Sequence, residues 1–359
     1  MSRIRLVVAD KDCEFLEKFS TYLQKNKAYA FCLELFSDKN KLTQWLSSNK
    51  TADLIVISSS LYNDLAERPE NMNVFLLRDC AESLVPKSIN SINKYSPADH
   101  IMKEILSLCA DYIPRDINND SENGHINLVL YADGSDALNP LAQGLAYINA
   151  SKGKKVFYMS LDELSNTDCY LKGNNTRGLS EMLYYTKSHK ENLSLKAEVC
   201  TSCDAQTGIL FMKGHNNPED VKNLNEKELS TLINAVQRSL PYEEIIISRA
   251  FIADQITISL LNKADRVYIS ALNYPPSIER LKRTGNIISN YEDKKGYKVK
   301  EKVIFCISSV FHNQIPVNID MPGFAISNLP YPDNIDSNFF PPSDVYLATL
   351  EEVFNKIWG

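Results

Sequence analysis

The chain of 359 residues lacks several features that would assign it to a simple functional class. No apolar run approaches the ~18 residues that a membrane-spanning helix needs. The first 30 residues contain neither a continuous apolar core nor a cleavage site, so we expect no export signal. A basic excess is also missing, because the net charge is -6, which argues against nucleic acid as a partner. We therefore expect a cytoplasmic protein.

Cysteine patterns typical of metal or disulfide sites are missing as well. The eight cysteines lie mostly inside apolar runs, which is typical of small core residues in a reducing compartment. Cys200 and Cys203 form the only CxxC pair in the sequence. Zinc would require a second pair or suitably spaced histidines, so the sequence predicts no metal site.

Two successive series of strands and helices are present instead, in a chain with 44% hydrophobic and 23% charged residues. Residues 1–112 contain five apolar strand segments with helices between them, which predicts a parallel sheet covered on both faces. Residues 113–125 are rich in Asn, Asp and Ser and are interpreted as a linker. The fold class predicted for 1–112 is therefore α/β, a doubly wound flavodoxin-like domain.

The second predicted domain, 126–359, contains seven apolar strand segments and interleaved helices. It again predicts a doubly wound parallel sheet. Helices are expected at 137–151, 177–189, 225–239, 252–262 and 275–290. A last helix over 343–358 has an apolar stripe opposite an acidic face, so we expect it to pack on the domain or on a partner rather than on a membrane.

The strand ends of the first series resemble those of a response-regulator receiver domain. Receivers place acidic residues after the first strand, a phosphorylated aspartate after the third, Thr or Ser after the fourth and a lysine after the fifth. The corresponding residues here are Ala9 with Asp10, Ser58, Arg78 and Lys94. Ser58 cannot form an acyl phosphate, which requires a carboxylate nucleophile. The resemblance therefore implies a pseudo-receiver, in which Lys94 is a relic, a solvated lysine or, the interpretation we favour, an ion-pair partner of Asp10.

The second series opens with a strand, the segment ADGSDALNP and a helix, which is the frame of a phosphate-binding site. Such a site needs clustered glycines, a lysine for the phosphates and a hydroxyl for magnesium. The segment has one glycine and no lysine; its residues are Asp133, Gly134, Ser135, Asp136, Ala137, Leu138, Asn139 and Pro140. Carboxylates at Asp133 and Asp136 would face phosphate oxygens of like charge, and Pro140 removes an N–H donor.

This second series resembles the ParA/MinD branch of deviant phosphate-loop ATPases, and the whole chain resembles the TadZ/CpaE family of Flp (Tad) pilus assembly proteins. The phrases GKKVFYMSLDE, NTRGLSEMLYYTKSHKENLSLK and YEEIIIS carry the resemblance. Leu138 then replaces the phosphate-binding lysine, Ser248 the aspartate of the catalytic strand, and Ser309 an adenine-contacting asparagine. The resemblance implies a pseudo-ATPase without catalytic residues or cofactor; weak binding of ATP and magnesium is the alternative.

The same resemblance implies partners: the pilus secretion ATPase or other pilus assembly proteins at the inner face of the membrane or at a cell pole. A homodimer or pairing with a TadZ relative is also expected, and membrane association is expected to be indirect. A second hypothesis is a nucleotide-dependent positioning ATPase that uses a displaced lysine such as Lys152, Lys154 or Lys155. A third is a regulator whose receiver-like domain senses a signal without phosphorylation.

Overall fold

A computed structural model of the chain describes residues 4–27, 31–48, 50–66, 72–79, 89–112, 124–295, 298–333 and 340–358. Most of the predicted linker, 113–123, lies outside these ranges. The first elements are β1 (Ile4–Ala9), α1 (Cys13–Lys27), β2 (Phe31–Phe36), α2 (Lys39–Leu46), β3 (Leu54–Ser58), α3 (Ser59–Asp64), β4 (Val74–Arg78), β5 (Ser91–Asn93) and α4 (Ala98–Tyr112).

The later elements begin with β6 (His125–Tyr131), α5 (Leu141–Ser151), β7 (Val156–Ser160), α6 (Thr167–Tyr170), α7 (Leu179–Lys187), α8 (Leu193–Cys200), β8 (Thr201–Cys203), β9 (Leu210–Met212) and α9 (Pro218–Lys222). They continue with α10 (Glu226–Ser239), β10 (Glu244–Ala250), α11 (Gln255–Lys263), β11 (Arg266–Leu272), α12 (Pro275–Lys295), β12 (Val303–Ser308), β13 (Ala325–Leu329) and α13 (Asp344–Trp358).

The chain forms two compact units. Unit 1 comprises Met1–Asn119 with His189–Val199, and unit 2 comprises Asp120–Ser188 with Cys200–Gly359. The described strands of unit 1 form a parallel sheet in the order β2-β1-β3-β4-β5. Strand β3 is buried along its whole length, as expected for a central strand covered by helices on both faces. The doubly wound class predicted for 1–112 is confirmed.

Residues 189–199 differ from the continuous second domain that the sequence predicted, because they pack in unit 1. Leu195 and Val199 of α8 are buried in the same hydrophobic cluster as Ile105 of α4. The Asn192 amide donates to the Ala110 carbonyl at 3.2 Å, which gives a partner to the last turn of α4. An apolar face and a helix end of unit 1 are thus completed by residues distant in sequence.

The sheet of unit 2 runs β13-β12-β11-β6-β10-β7-β9-β8. Every described neighbouring pair in it is parallel except β8 with β9. The seven strands predicted from sequence are present; β8 is an eighth, of only three residues. This sheet, with helices between its strands, confirms the predicted doubly wound class of the second domain.

Helix α13 packs against the rest of unit 2, as the sequence led us to expect. Tyr346, Leu350 and Val353 on its apolar stripe are buried in the cluster that also contains α5. A Cβ added to Gly144 of α5 would lie 3.0 Å from Leu350 Cδ2, so the glycine permits the close approach of the two helices. None of the helices in the described ranges combines the length and the apolar character that crossing a bilayer requires.

Candidate functional site

The loop between β6 and α5 contains the residues assigned to a vestigial nucleotide loop. Gly134 has a φ of 82°, a left-handed conformation that glycine adopts without strain. The N–H of Asn139 donates to the Asp136 carbonyl at 3.0 Å and closes a turn. Because of this turn, α5 begins at Leu141, four residues later than the predicted start at 137.

The first turn of α5 already has partners inside the protein. The N–H of Ala142 donates to the Tyr131 hydroxyl at 3.2 Å, and the N–H of Leu141 donates to the Asn139 carbonyl at 2.8 Å. In phosphate-binding sites, N–H groups at the start of a helix point at the ligand. Tyr131 comes from the end of β6 and is 1% exposed, so its hydroxyl lies buried against this helix start.

A chain of buried polar side chains continues from the same helix. Gln143 Nε2 donates to Asp136 Oδ2 at 2.7 Å and to the Tyr158 hydroxyl at 3.0 Å, and this hydroxyl lies 3.0 Å from Ser248 Oγ. Asn166 Nδ2 donates to the other Asp136 oxygen at 2.6 Å. Burial raises the pKa of Asp136, although the hydrogen bonds from Asn166 and Gln143 act in the opposite direction. These buried polar side chains of the predicted site therefore bond to one another.

Asp133 does not face this interior as the sequence analysis expected. Its carboxylate accepts hydrogen bonds from the Leu272 N–H at 3.2 Å and from the Ser277 hydroxyl, which belong to β11 and α12. The side chain of Asp133 thus ties the loop to the neighbouring strand. Ser135 has a local role, since its hydroxyl accepts the N–H of Ala137 at 3.0 Å.

Asn139 links the loop to the C-terminal helix. Its side-chain Nδ2 donates to Ser270 Oγ of β11, and its side-chain Oδ1 accepts from the Tyr346 hydroxyl of α13, both at 2.5 Å. Asn139 and Tyr346 are buried, whereas Leu138 beside them is 49% exposed. Leu138, which the resemblance aligns with the phosphate-binding lysine, is thus an exposed apolar side chain.

The end of β10 carries an ion pair instead of a magnesium-binding aspartate. Ser248 is followed by Arg249, whose guanidinium is buried and donates to both carboxylate oxygens of Asp254, at 2.8 and 2.7 Å, and to Thr257. Burial would raise the pKa of Asp254, but the hydrogen bonds from Arg249 and Thr257 lower it below its usual value. Asp254 also accepts the N–H of Thr257 at the start of α11, so the pair anchors a helix.

Ser309, the predicted adenine position, is not brought to this group of residues. It follows β12, which is separated from β6 by β11, and its N–H donates to the Leu329 carbonyl at 2.9 Å. Within the described ranges, no cluster of three or more His, Cys, Asp or Glu side chains is arranged to hold a metal ion.

A pocket of about 300 Å³ opens at the carboxyl ends of β6, β7 and β10. Three carboxylates line it: Asp136, Asp162 and Glu163. Sequence analysis missed Asp162, although the acidic pair Asp162 and Glu163 directly follows β7, where ligands collect in open α/β sheets. Burial raises the pKa of Asp162 to about 6, and Asp136 adds to this shift, while the hydrogen bond from the Ala250 N–H opposes it.

The candidate receiver site of unit 1 contains the predicted ion pair. Lys94 Nζ lies 2.8 Å from Asp10 Oδ2 and 3.1 Å from Asp12 Oδ2. The Lys94 and Asp10 side chains are 5% and 3% exposed. Burial opposes the charge of Lys94, but hydrogen bonds to the two carboxylates raise its pKa above the usual value. Ser58 is fully buried nearby at the end of β3, so no carboxylate occupies the acceptor position.

Arg78 lies at the end of β4 and is half-buried. Its carbonyl accepts the N–H of Lys94 at 3.0 Å, which positions the lysine at the sheet edge. The structure thus brings Asp10, Arg78 and Lys94 together at the carboxyl ends of the strands, as receiver topology requires.

The protein thus has two α/β units, each with polar side chains at the carboxyl ends of its parallel strands. Residues 2–110 match the family model described as "TadZ-like, receiver domain". The N-terminal part of the chain is therefore a TadZ-like receiver domain, and the predicted resemblance is confirmed. A doubly wound unit follows it, and this order fits the TadZ/CpaE layout that the sequence resembles.

Solved structures similar to this chain are ParA and MinD proteins. A ParA family ATPase from Chlorobium tepidum shares 16% identity over 66% of this chain and 94% of its own, with a TM-score of 0.48. A putative plasmid partition protein from Borrelia burgdorferi, bound to AMPPNP, shares 15% over 66% and 99%, with a TM-score of 0.48. The MinD cell division protein of Aquifex aeolicus shares 14% over 65% and 97%, with a TM-score of 0.48. No curated protein matches the chain.

Proposed function

We propose that this chain is a non-catalytic assembly or localisation factor of a bacterial Flp (Tad) pilus or a related secretion system, and that it acts by docking other proteins. The TadZ-like receiver domain at residues 2–110 supports the pilus system. The observation that carries the non-catalytic part is the filled helix start: the Tyr131 hydroxyl accepts the Ala142 N–H that a phosphate would need.

The residues at this site do not fit a nucleoside triphosphate with magnesium. Leu138 offers no charge for a phosphate, and the buried Asp136 would repel phosphate oxygens. Ser248 stands where the resemblance expects an aspartate, and its hydroxyl is hydrogen-bonded to the Tyr158 hydroxyl. Losing a charge-assisted contact while adding like charge opposes binding twice. The fold is retained because packing supports it without any reaction.

The alternative with a displaced lysine has no support in the geometry. Lys154 Nζ lies 2.7 Å from Glu244 Oε1, and Lys152 Nζ lies 2.8 Å from Glu351 Oε1. Both lysines precede β7, at the amino end of the strand, whereas the loop lies at the carboxyl ends. Both lysines form ion pairs at the amino ends of the strands, on the side of the sheet away from the loop.

Titration of the full chain with fluorescent ATP and magnesium tests the non-catalytic part. We expect no saturable binding up to ~1 mM nucleotide, because the charge-assisted phosphate contacts are missing. A ParA family ATPase treated in the same way is the positive control. Micromolar binding that is abolished by Gly134→Val would overturn this part of the proposal.

Co-purification tests the docking part. The chain is expressed with the pilus secretion ATPase and, separately, with the other assembly proteins of the same system, and we expect a stable complex with at least one of them. Failure with all of them, while each is soluble and folded, would contradict the docking function.

A further inference from the structure

The carboxyl edge of the unit 2 sheet presents exposed apolar side chains. They share a position in the loops that follow central strands, where the chain leaves the sheet. They are Leu138 after β6, Leu164 after β7, Ile252 after β10, Tyr274 after β11, and Phe311 and Ile315 after β12. Leu164 and Ile315 are each 85% exposed. We call these six residues the apolar edge.

These residues lie along one side of the unit because their strands are neighbours and parallel, in the order β12-β11-β6-β10-β7. With a strand spacing of ~4.8 Å, four steps from β12 to β7 span about 19 Å. A row of this length is what a short extended peptide or one helix face covers. Several large apolar side chains exposed along one edge of a sheet are typical of an interaction site.

The carboxylate pocket lies within this row. Leu164 and Ile252 of the apolar edge also line the pocket, together with Asp136, Asp162 and Glu163. Its positive group, Arg249, is already neutralised by Asp254. Glu163 has no hydrogen bond or ion pair among the residues that the structure describes. The pocket therefore offers uncompensated negative charge between two apolar side chains.

Resting on the proposed docking function, we infer that the apolar edge binds a partner protein segment that places a lysine or arginine side chain in the carboxylate pocket and apolar side chains against Leu164 and Ile252. A cation is the complementary ligand, because burial disfavours the ionised form of the carboxylates and a nearby positive charge favours it. The apolar flanks supply affinity, and the charge supplies selection among partners.

Charge also argues against other occupants. Face-to-face pairing of two copies would bring carboxylate pockets together, and like charges in contact are unfavourable. An anionic lipid surface would be repelled for the same reason, because lipid surfaces attract basic segments. A basic apolar segment of another protein satisfies both features of the surface.

Peptide selection on the full chain tests the inference whichever protein supplies the segment. A display library of random dodecamer peptides is selected on the immobilised protein, and the enriched consensus is synthesised for fluorescence anisotropy. We expect a lysine or arginine with apolar neighbours. Reversing the free charge with Glu163→Lys should weaken binding about tenfold, as should Leu164→Ser with Ile252→Ser.

The control variant is Ile287→Ser, which removes an apolar side chain that is 42% exposed on α12, ten residues after Ser277 and so about 15 Å along the helix from the loop of Asp133. It should bind the consensus peptide as the unaltered chain does. Glu163→Gln gives a second, milder variant, and circular dichroism verifies that all variants are folded. No enrichment, a consensus without basic residues, or unchanged binding by Glu163→Lys would overturn the inference.

Two further measurements decide between occupants. A dimer in sedimentation velocity that dissociates in the Leu164→Ser, Ile252→Ser variant would replace the inference with self-association. If the unaltered chain floats with phosphatidylglycerol vesicles and this variant does not, a lipid surface would replace the inferred protein partner. The nucleotide titration is independent of all these measurements. ATP binding would refute the non-catalytic part of the proposed function, and the peptide measurements would still test the inference by themselves.

Discussion

Units 1 and 2 both have a mostly parallel sheet with buried polar side chains at its carboxyl edge, but these side chains have different partners. In unit 1 the site remains ionic, with Lys94 held between Asp10 and Asp12. In unit 2 hydrogen bonds connect the hydroxyl and amide groups of Tyr158, Gln143 and Ser248, and Gln143 also donates to the carboxylate of Asp136, which has no cationic partner in the described part of that unit. Polar groups that are buried at a sheet edge must find partners, and either an ion pair or a network of hydrogen bonds can supply them.

The difference predicts different sensitivities. A buried ion pair becomes strongly destabilising when one partner is removed, since the other charge stays buried. A network of hydrogen bonds loses one hydrogen bond at a time, at a smaller cost. The comparison can be tested by substitutions in each unit, measured on the full chain. Trp45, which is buried in unit 1, reports the unfolding of that unit when Trp358→Phe is the common background.

The largest effect is expected from Lys94→Met. The substitution leaves Asp10 buried without a counter-charge, so we expect a loss of ~3–5 kcal/mol in the free energy of unfolding of unit 1. Urea denaturation followed by Trp45 fluorescence measures it. Adding Asp10→Asn should recover much of the loss. An unchanged midpoint for Lys94→Met would mean that the ion pair contributes nothing, and the contrast between the units would disappear.

A slightly smaller loss is expected from Leu195→Ala. This residue lies far beyond the receiver domain in sequence but is 4% exposed in the core of unit 1. Removing a buried leucine side chain costs ~2–4 kcal/mol, which should appear in the Trp45 transition. Leu229→Ala, an equally buried change in unit 2, is the matched control and should leave that transition in place. The opposite pattern would contradict the assignment of 189–199 to unit 1.

Tyr131→Phe should cost ~1–3 kcal/mol in unit 2, because the buried Ala142 N–H loses its acceptor. Hydrogen exchange at the amides of α5 measures the loss. Tyr184→Phe, at an exposed tyrosine, is the control. ATP binding should stay absent in Tyr131→Phe, since the phosphate-binding lysine is still missing. Unaltered exchange at α5 would show that the hydroxyl does not hold the helix start.

The smallest effect, and one of opposite sign, is expected from Asp162→Asn. The folded-state pKa of about 6 lies above the ordinary value of 3.8, so ionisation of Asp162 costs stability as pH rises from about 4 through 6. At pH 7.5 the variant should therefore be more stable than the unaltered chain by ~1–2 kcal/mol, and the difference should vanish near pH 4. Thermal unfolding at several pH values measures it. A variant that is less stable at pH 7.5 would show that the charge of Asp162 has a compensating partner.

Particular residues show how far the sequence could be interpreted. The alternation of apolar strands and helices predicted both sheets, and the register of strand ends predicted the proximity of Asp10 and Lys94. The sequence did not show that Asp133 turns towards Leu272 and Ser277, because a side-chain direction in a loop depends on which neighbouring strand offers a donor. Nor did it predict Tyr131 at the start of α5, since a tyrosine in an apolar strand looks like an ordinary core residue.

The sequence by itself determined the two doubly wound folds and the residue types at the strand ends, with no lysine in the segment ADGSDALNP and a serine at position 58, because periodicity and residue type are local properties of the chain. Tertiary structure alone decided that residues 189–199 complete unit 1 and that Tyr346 of the last helix reaches Asn139. It also decided that exposed apolar side chains and carboxylates meet along one sheet edge. These are contacts between residues far apart in sequence, and they are set by strand order and packing, which no local pattern records.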